Sequence, residues 1–205
     1  MTKRDQSRIV ALPAPRVDSA YSLERSLAER RSVREYSAES ISLADVSQLL
    51  WAAHGMTHAG RGRTVPSAGA LYPLEVFLVA GAVDGLEVGL YRHRNATHEL
   101  ELLMTSDLRS QLGEAALGQD WMVDAAAVIV IAGAVRRTAA KYGQRATRYV
   151  HMEVGAAAQD IYLQATALGL GTVFVGAFGD RSVGQVLHLP EAEQPFAILP
   201  IGRPV

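Results

Sequence analysis

The chain has 205 residues, with 20 Lys and Arg against 21 Asp and Glu, 49% apolar residues and no Cys. That length buries a substantial core in one ordinary domain, and the balanced charge lacks the cationic excess by which nucleic-acid and membrane-surface proteins displace counterions. The missing Cys excludes disulfide scaffolds, thiolate nucleophiles and iron–sulfur clusters. Residues 1–20 are largely polar, carry Pro13 and Pro15 and show no periodicity, so an extended N-terminal arm is expected before a single domain over 21–205. The first residues lack the apolar core of a signal peptide, and the longest apolar run, Ala125–Val135, is about half the length of a membrane helix. A cytoplasmic protein with no membrane or nucleic-acid partner is the expectation.

From Ser22, Leu23 and Leu27 followed by Glu29, Arg30 and Arg31 predict a short helix ending in a cationic turn. Ser42 and Asp45 form a capping box for a second helix, with Leu43, Val46, Leu49, Leu50 and Ala53 at helical spacing until Gly55. Residues 55–73 are too irregular for a strand and too Gly-rich for a helix, so they read as a loop. Leu74–Ala80, Leu86–His93 and His98–Met104 predict an antiparallel meander, with a turn at Arg94-Asn95-Ala96-Thr97. Ser106 is the expected cap of a helix through Leu108, Leu112 and Ala115, and the β-branched run Ala126–Ala134 predicts a strand covered on both faces.

A helical pattern then runs from about Arg137 to Leu168, interrupted only by Gly143 and Gly155. A continuous helix of that length would run about 45 Å, longer than such a domain is wide, so it is expected to pack on another subunit as well. Thr172–Ala177 predicts a strand, Asp180 caps a short helix, and Phe196–Ile201 predicts the last strand. Hairpins mixed with crossovers give an α+β fold.

Four constellations carry chemistry. Arg30-Arg31-Ser32-Val33-Arg34 offers three guanidinium forks and a hydroxyl, suited to a phosphomonoester, or else forms a solvated basic turn. Pro66-Ser67-Ala68-Gly69-Ala70-Leu71-Tyr72-Pro73 sets small residues between two prolines, where main chain can approach a flat ligand; the bland alternative is a surface turn. Lys141-Tyr142 offers a general base and a proton relay, or an exposed Lys beside a half-buried Tyr. Consecutive helical residues diverge by about 100°, so both reach one site only if the helix is irregular at Gly143. Val175-Gly176-Ala177-Phe178-Gly179 and Gly202-Arg203-Pro204 can hold a planar ring and close over an anion, or form two turns. Gly169-Leu170-Gly171 follows a helix and lacks a third Gly, so it gives no Rossmann fingerprint. His54 and His58 flank Gly55 without a carboxylate at ligand spacing, so no metal site is expected.

In this order the motifs resemble the nitroreductase family of flavin enzymes, and more closely its SagB-type or thiazole/oxazole-oxidase (McbC-like) branch, over residues 22–204. The resemblance implies a nitroreductase-like fold with a mixed sheet flanked by helices, and an obligate homodimer with a long interface helix and two FMN molecules between the subunits. It implies that Arg30, Arg31, Ser32 and Arg34, with Arg203, hold the FMN phosphate, while Pro66, Ser67, Ala68, Gly69 and Ala70 of the partner chain, with Val175 and Gly176, contact the ring. Many nitroreductases carry Asn where this chain has Ala70, so only main-chain contacts are implied there. Lys141 and Tyr142 match the catalytic pair that removes a proton while hydride passes to the flavin, as in oxidation of an azoline to an azole. The substrate implied is a small molecule or a peptide. Two alternatives remain: an NAD(P)H-dependent nitro or quinone reductase, and a non-catalytic flavin-binding dimer.

Overall fold

The computed structural model describes residues 8–57, 60 and 62–205. The arm supplies strand β1 (Ile9–Ala11), which pairs antiparallel with Glu99–Glu101, so part of the predicted extension is an edge strand of the domain's own sheet. Helix α1 (Leu23–Glu29) starts where the Ser22 hydroxyl accepts the Arg25 amide at 3.1 Å. After β2 (Ile41–Ser42), the predicted capping box of Ser42 and Asp45 opens α2 (Leu43–His54), satisfying two amides that the helix itself cannot pair. The segment expected to be an irregular loop contains a small hairpin, β3 (Met56–Thr57) with β4 (Gly62–Arg63), and a 3-10 turn at Ala68–Ala70.

The meander follows as β5 (Leu74–Ala80), β6 (Val83–Asp84), β7 (Gly89–Arg94) and β8 (Glu99–Met104). Helix α3 (Arg109–Ala115) forms, but Ser106 does not cap it; the Asp107 carboxylate accepts the Arg109 amide instead, at 3.1 Å. Strand β9 (Ala127–Gly133) leads into α4 (Val135–Tyr142), α5 (Ala146–Ala167), β10 (Gly171–Thr172), α6 (Asp180–Val186) and β11 (Gln194–Gly202). Asp180 is the first residue of α6, and Gly179 holds the cap position without a side-chain bond.

Seven strands form one sheet in the order β1-β8-β7-β5-β9-β11-β10, and every neighbouring pair in it is antiparallel. Parallel pairing, the other half of the expected mixture, is peripheral, at β2 with β6 and at the Ser32–Thr172 bridge. All seven residues of β9 are buried, as its apolar run requires. Its side chains alternate: Ile129 and Ile131 join Leu49, Leu50, Val150 and Ile161 from α2 and α5, while Val128 and Val130 join Leu112 and Val183 from α3 and α6. Burying an aliphatic side chain this completely contributes about 1.5–3 kcal/mol, so helices are held on both faces of the sheet.

The long predicted helix is in fact two. Gly143 takes φ 52°, ψ −129°, a conformation that glycine alone adopts without strain, and α4 ends there. The remaining 22 residues of α5 span about 33 Å rather than about 45 Å. The strand expected over Thr172–Ala177 is also cut short. The Phe174 amide donates to the Tyr162 hydroxyl at 2.7 Å, so only Gly171 and Thr172 enter the ladder and Val175 returns as an isolated bridge to Ile198. Among the described residues, no helix is long and apolar enough to cross a membrane.

Candidate functional site

Helix α5 connects two groups of the predicted residues. Toward its N-terminal half, Glu153 lies in the apolar stripe of Val150, Val154, Ala157 and Ile161 and is only 4% exposed. The Ser67 hydroxyl accepts the Tyr72 amide at 2.9 Å, which closes the Pro66–Pro73 loop on itself, and the 3-10 turn at Ala68–Ala70 packs against α5. Burial pushes Glu153 up to about 7, against the nearby Ser67 hydroxyl and the positive charges of Arg63 and Arg137. Its Oε1 has no hydrogen-bond partner.

The loop itself is strained: Gly69, Ala70 and Tyr72 have φ of 63°, 54° and 46°, and for the two non-glycine residues this conformation costs about 1–2 kcal/mol each. At Gly69 the backbone passes so close to α4 that an added Cβ would lie 2.8 Å from Tyr142 Oη and 3.0 Å from Lys141 Nζ. Both members of the predicted pair therefore converge on the loop. This is possible because Tyr142 has left helical geometry, with φ −114° and ψ 1°, just before Gly143 ends α4. Lys141 is exposed, its Nζ 5.5 Å from the centre of the Tyr142 ring, and Tyr142 meets Tyr149 edge-on at 5.1 Å.

Nine residues further along α5, about 14 Å at the helical rise, Tyr162 organises the second group. Its hydroxyl lies 3.0 Å from Ser32 Oγ and accepts the Phe174 amide, while the Arg30 guanidinium stacks over its ring at 5.0 Å. The Val33 amide donates to Thr172 O at 2.9 Å, Tyr36 Oη to Val33 O at 2.7 Å, and the Ser37 amide to Arg203 O at 2.9 Å. The basic segment is thus laced to β10 and to the chain's last residues. Arg34 is exposed and Arg31 turns back onto Ala28 O and Arg30 O, closing the end of α1. The Arg203 side chain is engaged with Glu39 at 3.3 Å and Ser40 O at 3.4 Å. Val175 is buried on β11 and Gly176 is exposed beside the Phe174 ring.

Arg30, Ser32, Val175 and Gly176 are therefore gathered around Tyr162 and its neighbours, and Lys141 and Tyr142 around the Pro66–Ala70 loop, which packs on the Glu153 end of α5. Sequence reasoning missed Glu153 and Tyr162. The legible signal was a carboxylate placed on an otherwise apolar helical stripe. Among the described residues no group of three or more His, Asp or Glu is close enough to hold a metal ion, and His58 lies outside them.

The sequence profile of the nitroreductase family matches residues 27–203. A protein of Methanocaldococcus jannaschii named as a nitroreductase is 43% identical over 183 residues, covering 89% of this chain and 91% of that protein. The solved structure of a nitroreductase-type protein of Anabaena variabilis superposes with a TM-score of 0.86 at 29% identity over 97% of this chain, which spans only 42% of the length of that one. A chain of the Escherichia coli microcin synthetase complex McbBCD, solved with truncated pro-MccB17 bound, shares the fold with a TM-score of 0.75 at 23% identity, over 94% of this chain and 77% of that chain. The chain, an α+β protein with a central sheet flanked by helices, belongs to the nitroreductase family of oxidoreductases.

Proposed function

We propose that this chain is an FMN-dependent oxidoreductase of the SagB-type, thiazole/oxazole-oxidase branch, working as a homodimer on a small or peptide-borne substrate. The observation that carries this reading is the convergence of Lys141 Nζ and Tyr142 Oη on the backbone at Gly69. The fold shared with a chain of McbBCD, a complex solved with a peptide bound, supports the branch and the peptide class of substrate.

The residues present fit FMN. Arg30 and Arg34 supply charged forks and Ser32 a neutral donor for a phosphate, in a segment braced by Tyr162. Thr172 Oγ1 and Glu153 Oε1, one beside each group, are buried without a partner. Gly69 and Gly176 expose main chain against which a planar ring can lie. Dimerisation is supported by apolar side chains left in solvent on α1 and α5: Leu23, Leu27 and Met152 are 60%, 54% and 63% exposed.

When bound, FMN supplies the two-electron chemistry, accepting or returning a hydride at its ring. The chain's own groups do the rest. Lys141 Nζ would take the proton from an azoline ring carbon as hydride leaves the neighbouring carbon for the flavin, so the substrate loses two electrons and two hydrogens and becomes an azole. Tyr142 hands that proton on. Because Lys141 and Tyr142 are fixed to the Pro66–Pro73 loop of their own chain, they travel with it: if the loop serves the partner's cofactor, so does the pair.

Purified protein titrated with FMN is expected to bind about one FMN per chain, read by flavin absorbance; protein that stays colourless and refuses FMN overturns the reading. The name of the 43% identical relative favours a second reading, reduction of nitro or quinone compounds by NAD(P)H. Such an enzyme keeps its turnover in Lys141→Ala, whereas an azoline oxidase loses it.

A further inference from the structure

A cavity of about 520 Å³ lies between the β7–β8 turn, the start of β5 and the N-terminal end of α4, within the usual size of a small-molecule site. None of the residues expected to hold FMN lines it. Four guanidiniums stand on its wall: Arg63, Arg92, Arg94 and Arg137. Three have carboxylate partners: Arg92 pairs with Glu75 at 3.1 Å and Glu193 at 2.6 Å, Arg137 with Glu75 at 2.9 Å, and Arg94 with Glu101 at 3.0 Å. Arg63 is the fourth, and among the described residues no carboxylate comes within ion-pair distance of it. Glu75 and Glu153 act on Arg63 only at longer range, so its guanidinium is the one of the four without a paired carboxylate.

Arg63 is also held in place. Its guanidinium stacks on the Tyr72 ring at 4.5 Å and its Nη1 donates to His54 Nδ1 at 3.2 Å. His54 is 3% exposed, and burial together with the Arg63 charge pushes its imidazole down to about 3, so it stays neutral and accepts this bond. A half-buried, prepositioned guanidinium with most of its fork unused is a receptor for an oxyanion, since a partly desolvated charge without a counter-ion is costly. A single unpaired guanidinium fork matches one carboxylate in bidentate geometry. Leu74, Val76 and the Tyr72 ring give the same cavity an apolar wall for a carbon body.

We propose that this cavity binds a small carboxylic acid, or a carboxyl-bearing part of a larger ligand, through a single carboxylate paired with Arg63. The probes are benzoate, its uncharged counterpart benzamide, and inorganic phosphate, titrated calorimetrically into the full chain. Benzoate is expected to bind, with benzamide and phosphate each weaker by about tenfold or more. Arg63→Gln is expected to weaken benzoate by a similar factor, Arg63→Lys by less, and Arg94→Gln, whose guanidinium already has Glu101, to leave it nearly unchanged. FMN content is expected to be the same in all three variants. The proposal is overturned by failure of wild type to bind benzoate, by phosphate or benzamide binding as tightly, by indifference to Arg63→Gln, or by loss of FMN from that variant. Should Arg63→Gln not fold, the three probes on wild type decide the matter alone. Failure of FMN to bind wild type would leave this test standing, because the benzoate titration does not require it.

Discussion

The two ends of α5 are built differently, and in the proposed function the contrast separates gripping from chemistry. Around Tyr162 the residues are conventional: a half-buried guanidinium stacked on its ring, a hydroxyl pair at 3.0 Å and a backbone bridge to β10. Around Glu153 several groups are held against their preference. In the loop Ala70 and Tyr72 sit at positive φ, and the carboxylate is buried with one oxygen unpartnered. Strain of this kind persists only where surrounding structure enforces it, and the proposed function puts proton transfer at the Glu153 end and the cofactor anchor at the Tyr162 end.

The sharpest way to break that contrast is Lys141→Ala. If proton removal belongs to the Glu153 end, azoline turnover falls by about 10²–10⁴-fold while FMN content stays the same. Unchanged turnover of an azoline would remove Lys141 as the base. At the other end, Arg30→Ala and Arg34→Ala are each expected to weaken FMN by about 1.5–3 kcal/mol, measured by flavin fluorescence titration, with turnover at saturating FMN nearly intact. Equal affinity in both variants would contradict the anchor assignment.

Smaller effects sharpen the picture. Gly69→Ala places a methyl group at φ 63° against Tyr142 Oη; it is expected to cost about 1–2 kcal/mol in denaturant unfolding and to slow turnover more than it lowers FMN affinity. Glu153→Gln tests the buried carboxylate through pH. The folded value of Glu153, about 7, lies above the ordinary 4.5. The protonated form is therefore the one the fold prefers, and its contribution is complete below about 4.5 and lost as pH rises through about 7. Stability measured across this window is expected to fall with pH more steeply in wild type than in Glu153→Gln; parallel curves would contradict the assignment. His54 and His93, both pushed by burial down to about 3, contribute with the opposite sign, above about 6.5 and lost toward 3, and are common to both proteins.

What the sequence displayed was local. The capping box at Ser42–Asp45, the all-apolar run of β9 and the motifs at 30–34, 66–73 and 141–142 are each continuous stretches whose residue types state their role. What it concealed was contact between distant stretches. Ser32 meets Tyr162 across 130 positions, and the 66–70 loop packs on a helix that reads as an apolar stripe. The break at Gly143 was masked because a lone glycine in a helical pattern costs only about 1 kcal/mol and does not by itself end a helix. The strand at Thr172–Ala177 was overextended because its pairing is interrupted by the Tyr162 hydroxyl, which no local pattern announces.

The central claim is that one chain's anchor and its partner's loop and Lys141 complete a single FMN site. Mixing two inactive proteins tests it most directly: one carrying Arg30→Ala with Arg34→Ala, the other Lys141→Ala, exchanged into mixed dimers at limiting FMN. One site of each mixed dimer then combines an intact anchor with an intact Lys141, so azoline turnover is predicted to return toward half that of wild type per mixed dimer. No recovery in dimers shown to be mixed would contradict the account.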